Sequence, residues 1–335
     1  MKLRSRGRFN VKRWSRVLAD RIRGNEFERA LRAARQRGSH DYVFCWNRGL
    51  GDIALGLVPL LSRIRAHDAD SRIVVFTRAE LAEMFTLCDV DDLHVVPGLQ
   101  RGAPIDPIAA AAQAAIVLSP SATVFAEPDP THWLDGRRQE SCPSLRWDPA
   151  WNGRADRLLA ATAGEIVIGA HVNSETARYY GYAKDWPGSA WQGLFARFPA
   201  TRNVRWLLFG NAATTVFAQP NLVDLRGRTS LLDLLAVVRT RCHVLVAPDS
   251  GVLTAAFYLA QDFPLQIVSL WSDPRQGILK QGCPSPNPRL HHEPLQGRNE
   301  DVRNLPVDDV ERAVAAALAR ARRSPYHIDA HAVAP

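Results

Sequence analysis

The chain has 335 residues, of which 46% are hydrophobic and 23% are charged. This length suits two domains better than one core, and the composition is ordinary for a globular protein. No apolar run reaches the roughly 20 residues that a membrane-spanning helix needs. The basic N-terminus also lacks the apolar core of a signal peptide. We therefore expect a cytoplasmic protein.

The net charge of +8 is unevenly distributed along the chain. Residues 1–39 hold 13 of the 42 Lys and Arg residues and three of the 34 acids, which gives them +10 and leaves −2 for the remainder. A folded body without excess positive charge argues against nucleic-acid binding. We predict a basic helical extension over 1–39, with a helix at 11–37. That segment either lies on an anionic membrane surface, packs on the body of the protein as a solvated helix, or is a flexible arm.

From residue 41 onwards, short β-branched runs alternate with helical patterns, which is typical of βαβ units and parallel sheets. The predicted strands are 41–46, 72–76, 93–96, the end of 111–118, 165–171, 204–210, 243–249 and 265–271. The predicted helices are 52–66, 79–87, 187–198, 230–240, 251–260 and 307–323, the last packing back across one domain.

Residues 120–164 interrupt this alternation with five prolines and three tryptophans, and they predict a long, partly ordered connection. Two βαβ series joined in this way predict an α/β fold with two Rossmann-like domains facing across a cleft. We assign 40–160 to the first domain with its connection and 161–305 to the second, with 306–323 as the returning helix. Ligands bind beyond the carboxyl ends of parallel strands, so the cleft is the expected site.

The loop Asn47–Asp52 joins a predicted strand to a predicted helix. Gly49 and Gly51 let the backbone turn tightly and approach a ligand, Arg48 lies between them and the strand, and Asp52 opens the helix. The alternative role of Asp52 is that of an N-cap, typically worth about 1 kcal/mol. The loop lacks GxGxxG spacing, and no GK[ST] phosphate loop occurs in the chain.

Two later loops also place polar groups before a helix. Lys184 in KDWP can reach a diphosphate, or is a solvated loop lysine, while Trp186 is expected to pack. Ala247–Val252 opens a helix whose N–H groups attract phosphate. There Asp249 binds a ligand or holds the loop, or else Asp249 or Ser250 simply caps the helix.

The order of these motifs, together with Leu225–Leu231 and Ser269–Pro274, resembles the ADP-heptose:lipopolysaccharide heptosyltransferase family, glycosyltransferase family 9. LRGRTSL matches the family's L-x-G-x-T-S-L stretch, and SLWSDP is similar to its FG-x-T-D-P segment. The resemblance spans residues 41–320. It implies the glycosyltransferase-B architecture, with 40–160 on the acceptor side and 161–305 binding a nucleotide sugar.

The resemblance also implies an inverting, metal-independent transferase that uses no cofactor. Asp52 matches the base for the acceptor hydroxyl, and Lys184 matches the lysine that contacts the donor's phosphates. The residues that match or lie in the donor loop are Asp249, Ser250, Gly251 and Thr254. The residues of the acceptor-side backbone loop are Arg48, Gly49 and Gly51.

Two departures from the family pattern lie near the donor in the family. Thr254 stands where the family's D-T-G-x-x-H has its histidine, and Gly210–Thr214 offers no glutamate. We expect transfer of heptose or a similar sugar to a cell-surface glycan or lipopolysaccharide-core acceptor. Two alternatives stay open, a catalytically silent scaffold of the same fold and a nucleotide-sugar epimerase. The basic N-terminus would suit a lipid-linked acceptor at the inner face of the inner membrane.

The acids, histidines and cysteines predict no metal site. The DxD matches at Asp68–Asp70 and Asp89–Asp91 flank strand starts and are expected to be solvated turns. His291 and His292 are adjacent on a strand and so point to opposite faces. The five cysteines include no CxxC pair, so we expect neither a disulfide framework nor a thiolate zinc site. Cys45 and Cys242 lie in apolar runs and are expected to be buried.

Overall fold

The computed structural model describes residues 24–134, 138–159, 164–174, 183–200, 203–213 and 215–323. These residues form two compact units. The first unit lies within 1–47, 60–79 and 90–136, and the second within 48–59, 80–89 and 137–335. The loop that carries Asp52 thus belongs to the second unit, although the sequence placed it in the first domain. Residues 1–23 of the predicted basic extension lie outside the described residues.

All the strand pairings within the two sheets are parallel. The strands are β1 Asp41–Trp46, β2 Arg72–Thr77, β3 Asp92–Val95, β4 Thr123–Phe125, β5 Ile166–His171, β6 Val204–Phe209, β7 Leu222–Asp224, β8 Val244–Pro248, β9 Leu265–Trp271 and β10 Leu290–Gln296. The first unit holds a sheet of order β3-β2-β1-β4, and the second a sheet of order β10-β9-β8-β5-β6-β7.

The helices follow the strands in the alternation that the sequence predicts. The α-helices are α1 Glu26–Arg37, α2 Leu50–Asp52, α3 Val58–His67, α4 Ala82–Thr86, α5 Pro107–Gln113, α6 Pro130–Trp133, α7 Arg154–Leu158, α8 Gly188–Arg197, α9 Leu231–Thr240, α10 Gly251–Phe257, α11 Gly277–Gln281 and α12 Val307–Arg323. The π-helical segment Ile53–Leu57 joins α2 to α3.

The helix α1 packs on the first unit. Its N-cap Asn25 accepts a hydrogen bond from the Glu28 N–H at 3.0 Å, and Gly38 ends it with a left-handed φ of 63°. Phe27 is buried, and its ring stacks on Trp133 with 5.6 Å between the centroids. Of the alternatives for the predicted helix, packing on the body therefore holds for its described part.

The core of the second unit lies between one face of its sheet, α8 and α12. Trp191, Phe195 and Trp206 are buried there, and the Phe195 and Trp206 rings meet edge to face at 4.8 Å. Val310 and Val314 of α12 join the same core. The predicted helix 307–323 is confirmed with both its bounds, and it packs on the second unit.

The structure corrects the strand predicted at the end of 111–118. Asp106 caps α5, its carboxylate accepting from the Ile108 N–H at 2.9 Å, and the strand β4 begins only at Thr123. The stretch 120–164 is also more than a connection. It supplies β4 to the first sheet, and Leu145 forms a bridge with Leu259 in the second unit.

The sequence was expected to contain no disulfide framework, but the described residues include one disulfide bond. Cys142 and Cys283 are disulfide-bonded in the second unit, with their Cα atoms 5.5 Å apart. The two cysteines are separated by 141 residues, and only the fold brings them together. The predicted burial of Cys45 and Cys242 is confirmed. In the part of the chain that the structure describes, no helix has the length and apolarity needed to cross a bilayer.

Candidate active site

The loop after β1 places the Asp52 carboxylate at the surface of the second unit. Gly49, and not Asp52, is the N-cap of α2. Asp52 lies three residues into the helix, and its Oδ2 accepts a hydrogen bond from the Gly49 N–H at 3.1 Å. Both Asp52 and Arg48 are exposed. The π-helical segment follows at once, and such segments are frequent at functional sites.

The starts of α2 and α10 meet backbone to backbone. A Cβ atom added to Gly251 would lie 2.6 Å from Leu50 Cδ2 and 3.0 Å from Gly51 N. One added to Gly51 would lie 3.3 Å from the Cα of Gly251. Glycine at both positions allows this approach without displacing a neighbour, and the approach brings two helix starts, with their N–H groups and positive dipole ends, to one place.

Next to this junction, Lys184 and Asp249 form an ion pair. Lys184 Nζ lies 2.5 Å from Asp249 Oδ2, and the two side chains are only 17% and 10% exposed. Ser250 is the N-cap of α10, with its Oγ accepting from the Leu253 N–H at 3.2 Å. Of the two cap candidates the sequence left open, Ser250 is therefore the cap, and Asp249 holds the lysine.

The residues that flank Lys184 anchor it. The Asp185 carboxylate accepts from the Ser174 N–H at 2.6 Å, and burial raises the pKa of that carboxyl. Trp186 is buried, as expected of a packing residue, and its Nε1–H donates to the Leu305 carbonyl at 3.0 Å. On the other side, the Ser272 hydroxyl donates to the Ala183 carbonyl. Lys184 is therefore part of a fixed loop end.

Thr254 lies beneath the junction of the two helix starts. It is 2% exposed, and its Oγ1–H donates to the Ser250 carbonyl at 3.0 Å. A Cβ atom on Gly51 would lie 3.4 Å from Thr254 Oγ1. Thr254 therefore fills the space behind the junction and fixes the turn that Ser250 caps.

The sequence reasoning missed Gly277, which lies against Asp249 from the other side, and it assigned no role to Trp271, which lies against Gly277. Gly277 has a φ of 51°, and a Cβ atom there would lie 2.5 Å from Asp249 Oδ1 and 2.8 Å from Trp271 Cη2. Trp271 Nε1–H donates to Ser269 Oγ at 2.6 Å. A glycine that follows the turn sequence SDPRQ and starts a short helix was the available signal for this position.

A histidine completes the chain of hydrogen bonds behind Trp271. Ser269 Oγ and His292 Nε2 are 2.6 Å apart, and burial lowers the pKa of His292 to about 4. A neutral imidazole can accept the serine proton while the serine oxygen accepts from the indole, which satisfies all three groups. His292 thus has a structural partner in place of a metal.

The L-x-G-x-T-S-L match has a structural explanation in the loop before α9. Gly227 has a φ of 68°, and its N–H donates to the Gly210 carbonyl at 2.8 Å. Ser230 caps α9, with its Oγ accepting from the Asp233 N–H at 3.2 Å. Glu83 Oε2 accepts from the Leu232 N–H at 3.1 Å. These hydrogen bonds therefore fix the conformation of the loop at the carboxyl edge of the sheet.

The DxD matches lie in turns and ion pairs, as expected. Asp68 accepts from the Asp70 N–H at 3.2 Å, Asp91 accepts from the Ile73 N–H at 2.6 Å, and Asp89 pairs with Arg146. Within the ranges that the structure describes, no group of three or more His, Cys, Asp or Glu side chains is arranged to hold a metal ion.

The structure was compared with known proteins. No protein-family model matches the sequence, and no curated protein matches it significantly. A glycosyl transferase of family 9 from Veillonella parvula superposes with a TM-score of 0.58 at 16% identity, over 84% of this chain and 97% of that one. ADP-heptose lipopolysaccharide heptosyltransferase II from E. coli superposes with a TM-score of 0.56 at 15% identity, over 84% and 99%. The E. coli heptosyltransferase WaaC with ADP gives 0.51 at 17% identity, over 83% and 99%.

The chain has the glycosyltransferase-B fold. The α/β class predicted from the sequence is thereby confirmed, as is the likeness to glycosyltransferase family 9 structures. At these identities the comparisons establish the fold alone. The roles of Asp52, Lys184 and Asp249 on this glycosyltransferase-B scaffold are therefore argued below from their geometry.

Proposed function

We propose that this protein is a glycosyltransferase that binds a nucleoside-diphosphate sugar at the joined starts of α2 and α10. It transfers the sugar, heptose or a similar one, to a saccharide of the cell surface or the lipopolysaccharide core. The observation that carries the proposal is the Lys184–Asp249 pair beside this junction, with Asp52 exposed on the same unit. Fixed donors next to an exposed carboxylate match what inverting sugar transfer requires.

The pair suits a diphosphate because it supplies a positioned donor. An ammonium group has three N–H donors, and Asp249 holds Lys184 in place through one of them. Because the pair is neutral overall, the phosphate charge is offset mainly by helix-start N–H groups around Ser250 and Gly251. Such preorganised donors stabilise charge as it develops on a leaving diphosphate. In this proposal no metal ion is needed for that step.

Asp52 is proposed as the general base. Its carboxylate takes the proton of the acceptor hydroxyl while that oxygen attacks the anomeric carbon and the nucleoside diphosphate leaves from the opposite face. The bond to the acceptor oxygen forms as the bond to the phosphate oxygen breaks, so the anomeric configuration inverts. The hydrogen bond from the Gly49 N–H to Asp52 Oδ2 orients the carboxylate for this step.

The test is calorimetry with nucleoside diphosphates, starting with ADP, followed by turnover assays with nucleotide sugars. We expect Asp52→Asn to bind ADP like the wild type but to lose turnover by about 10²-fold or more. The matched control is Asp308→Asn, because that carboxylate is 67% exposed at the start of α12. Failure of the wild type to bind any nucleoside diphosphate would contradict the proposal.

The same assays separate the two alternatives. Binding without turnover favours a silent scaffold, for which the buried threonine in the donor loop is the supporting observation. Conversion of the nucleotide sugar without an acceptor favours an epimerase. Transfer to a saccharide favours the glycosyltransferase.

We also propose a peripheral contact with anionic membrane through residues 1–23, which would place the protein at the inner face of the inner membrane. Nine Lys and Arg residues and one acid occur there, and each cation near an anionic surface is worth about 1 kcal/mol. Deleting 1–23 keeps α1, whose Phe27 is buried in the first unit. We expect weaker binding to phosphatidylglycerol vesicles at low salt, and unchanged binding would contradict the contact.

A further inference from the structure

The segment Arg138–Cys142 lies against the C-terminal end of α11. Gln281 Nε2–H donates to the Arg138 carbonyl at 3.2 Å, and a Cβ atom on Gly282 would lie 3.0 Å from Gln139 Nε2. The Cys142–Cys283 disulfide joins the same two stretches covalently. Besides the disulfide, hydrogen bonds of partly buried groups join the two stretches, each worth about 1 kcal/mol net.

The other end of α11 touches the candidate site. Gly277, its first residue, lies against the Asp249 carboxylate and the Trp271 ring. The helix also contacts the π-helical segment that follows Asp52. A helix of five residues is about 7.5 Å long, so the disulfide acts on an element whose far end bears directly on Asp249.

We propose that the Cys142–Cys283 disulfide is a redox-sensitive latch on α11. When oxidised it holds α11, and through Gly277 it holds Asp249 and Lys184 in the arrangement that binds a nucleoside diphosphate. When it is reduced, the covalent link between Arg138–Cys142 and the end of α11 is lost, α11 loosens, and the nucleotide affinity falls. The effect on affinity rests on the function proposed above, whereas the loosening of α11 does not.

The redox chemistry requires only a small-molecule disulfide or thiol of the glutathione class. Cys142 is exposed and Cys283 is buried, so the Cys142 thiolate attacks the small disulfide first and releases one small thiol. The Cys283 thiolate then attacks the Cys142 sulfur, which forms the protein disulfide and releases the second thiol. The protein loses two electrons and two protons, and the small disulfide gains them. Reduction is the reverse.

Three measurements test the latch in the full chain. Alkylation without reductant, followed by peptide mapping, should find Cys142 and Cys283 linked. Hydrogen exchange of residues 277–283 should be faster after treatment with dithiothreitol and in Cys142→Ser. Calorimetry should show ADP binding weakened by roughly five-fold or more in both cases. Cys142→Ser/Cys283→Ser is the control, since dithiothreitol should not change its exchange or its affinity.

Each outcome decides a separate point. Both thiols alkylated in the oxidised protein, or equal exchange with and without dithiothreitol, would overturn the latch. Faster exchange with unchanged ADP affinity would overturn its link to the site. If neither form binds ADP or any other nucleoside diphosphate, the proposed function fails, while the exchange measurement still decides whether α11 is latched. The comparison of oxidised with reduced wild type remains decisive even if a cysteine variant fails to fold.

Discussion

Replacing Gly277 by alanine should displace Asp249 from Lys184. The added Cβ would lie 2.5 Å from Asp249 Oδ1 and 2.8 and 2.9 Å from two atoms of the Trp271 ring. Trp271 is 1% exposed and held through its indole N–H, so the ring has little room to move. The Asp249 carboxylate is therefore the group that moves, and its movement lengthens or breaks the 2.5 Å contact with Lys184.

The stability cost of Gly277→Ala can be judged by comparison with the same substitution at Gly38. Gly38 also has a left-handed φ, of 63°, but a Cβ atom there meets nothing within 4 Å. Gly38→Ala should therefore cost only the left-handed backbone term, about 1–2 kcal/mol. Gly277→Ala adds the loss of a charge-assisted hydrogen bond in a partly shielded pair, roughly 2 kcal/mol more.

Urea unfolding of the two variants and calorimetry with ADP measure both effects. We expect Gly277→Ala to unfold at lower urea than Gly38→Ala and to bind ADP at least ten-fold more weakly, because a displacement worth about 1.4 kcal/mol is enough for that factor. Gly38→Ala should bind ADP like the wild type. Equal unfolding free energies for the two variants, with unchanged ADP affinity, would refute the reasoning.

Three further predictions concern charge, pH and capping. Lys184→Ala should weaken ADP binding by about ten-fold or more, since a charged donor contributes about 1.5–3 kcal/mol, whereas Lys280→Ala on α11 should not, and equal losses in calorimetry would contradict this. His171 and His292 have pKa values lowered to about 4 by burial. The unfolded chain therefore takes up their protons below pH 6.5, and stability should fall by about 2 kcal/mol per histidine between pH 7 and pH 5; urea unfolding of His292→Gln should show about half the loss, and an unchanged slope would contradict the assignment. Ser230→Ala should cost about 1 kcal/mol through the lost α9 cap, measured by thermal unfolding, and no change would show that the cap is replaceable.

The elements predicted best from the sequence are those whose pattern is set by local burial. The strand 41–46 and the helix 307–323 are confirmed with both bounds, because continuous apolar runs and an alanine- and leucine-rich face have few competing interpretations. The strand expected at the end of 111–118 failed for a local reason. Asp106 and Pro107 start a helix earlier in the chain, and the alanine run continues it.

Long-range features could not be predicted from the sequence. The strand β7 has three residues, and β10 is polar, so neither gives a clear apolar run. The disulfide joins cysteines 141 residues apart, and no spacing rule identifies such a pair. The junction of Gly51 with Gly251 was invisible for the same reason, although both glycines were singled out within their own loops.

The candidate site shows the same division between local and distant information. Strand-to-helix loops marked by glycine and aspartate identified Asp52 and Asp249 as polar groups at helix starts. The sequence could not show that the Asp249 carboxylate contacts Lys184 on one side and Gly277 on the other. The sequence therefore singled out polar residues at helix starts, but it did not identify the residues that pack against them.

The packing at the junction bears on how a donor sugar would be held. Thr254 is buried, bonds to the Ser250 carbonyl and lies behind Gly51. Because Thr254 is 2% exposed, a larger side chain such as an imidazole would have to point outwards or displace its neighbours. On the function proposed above, the junction contributes backbone N–H groups to the donor phosphates, and the Asp52 carboxylate contacts the acceptor hydroxyl. The choice of sugar then depends on other residues of the loops.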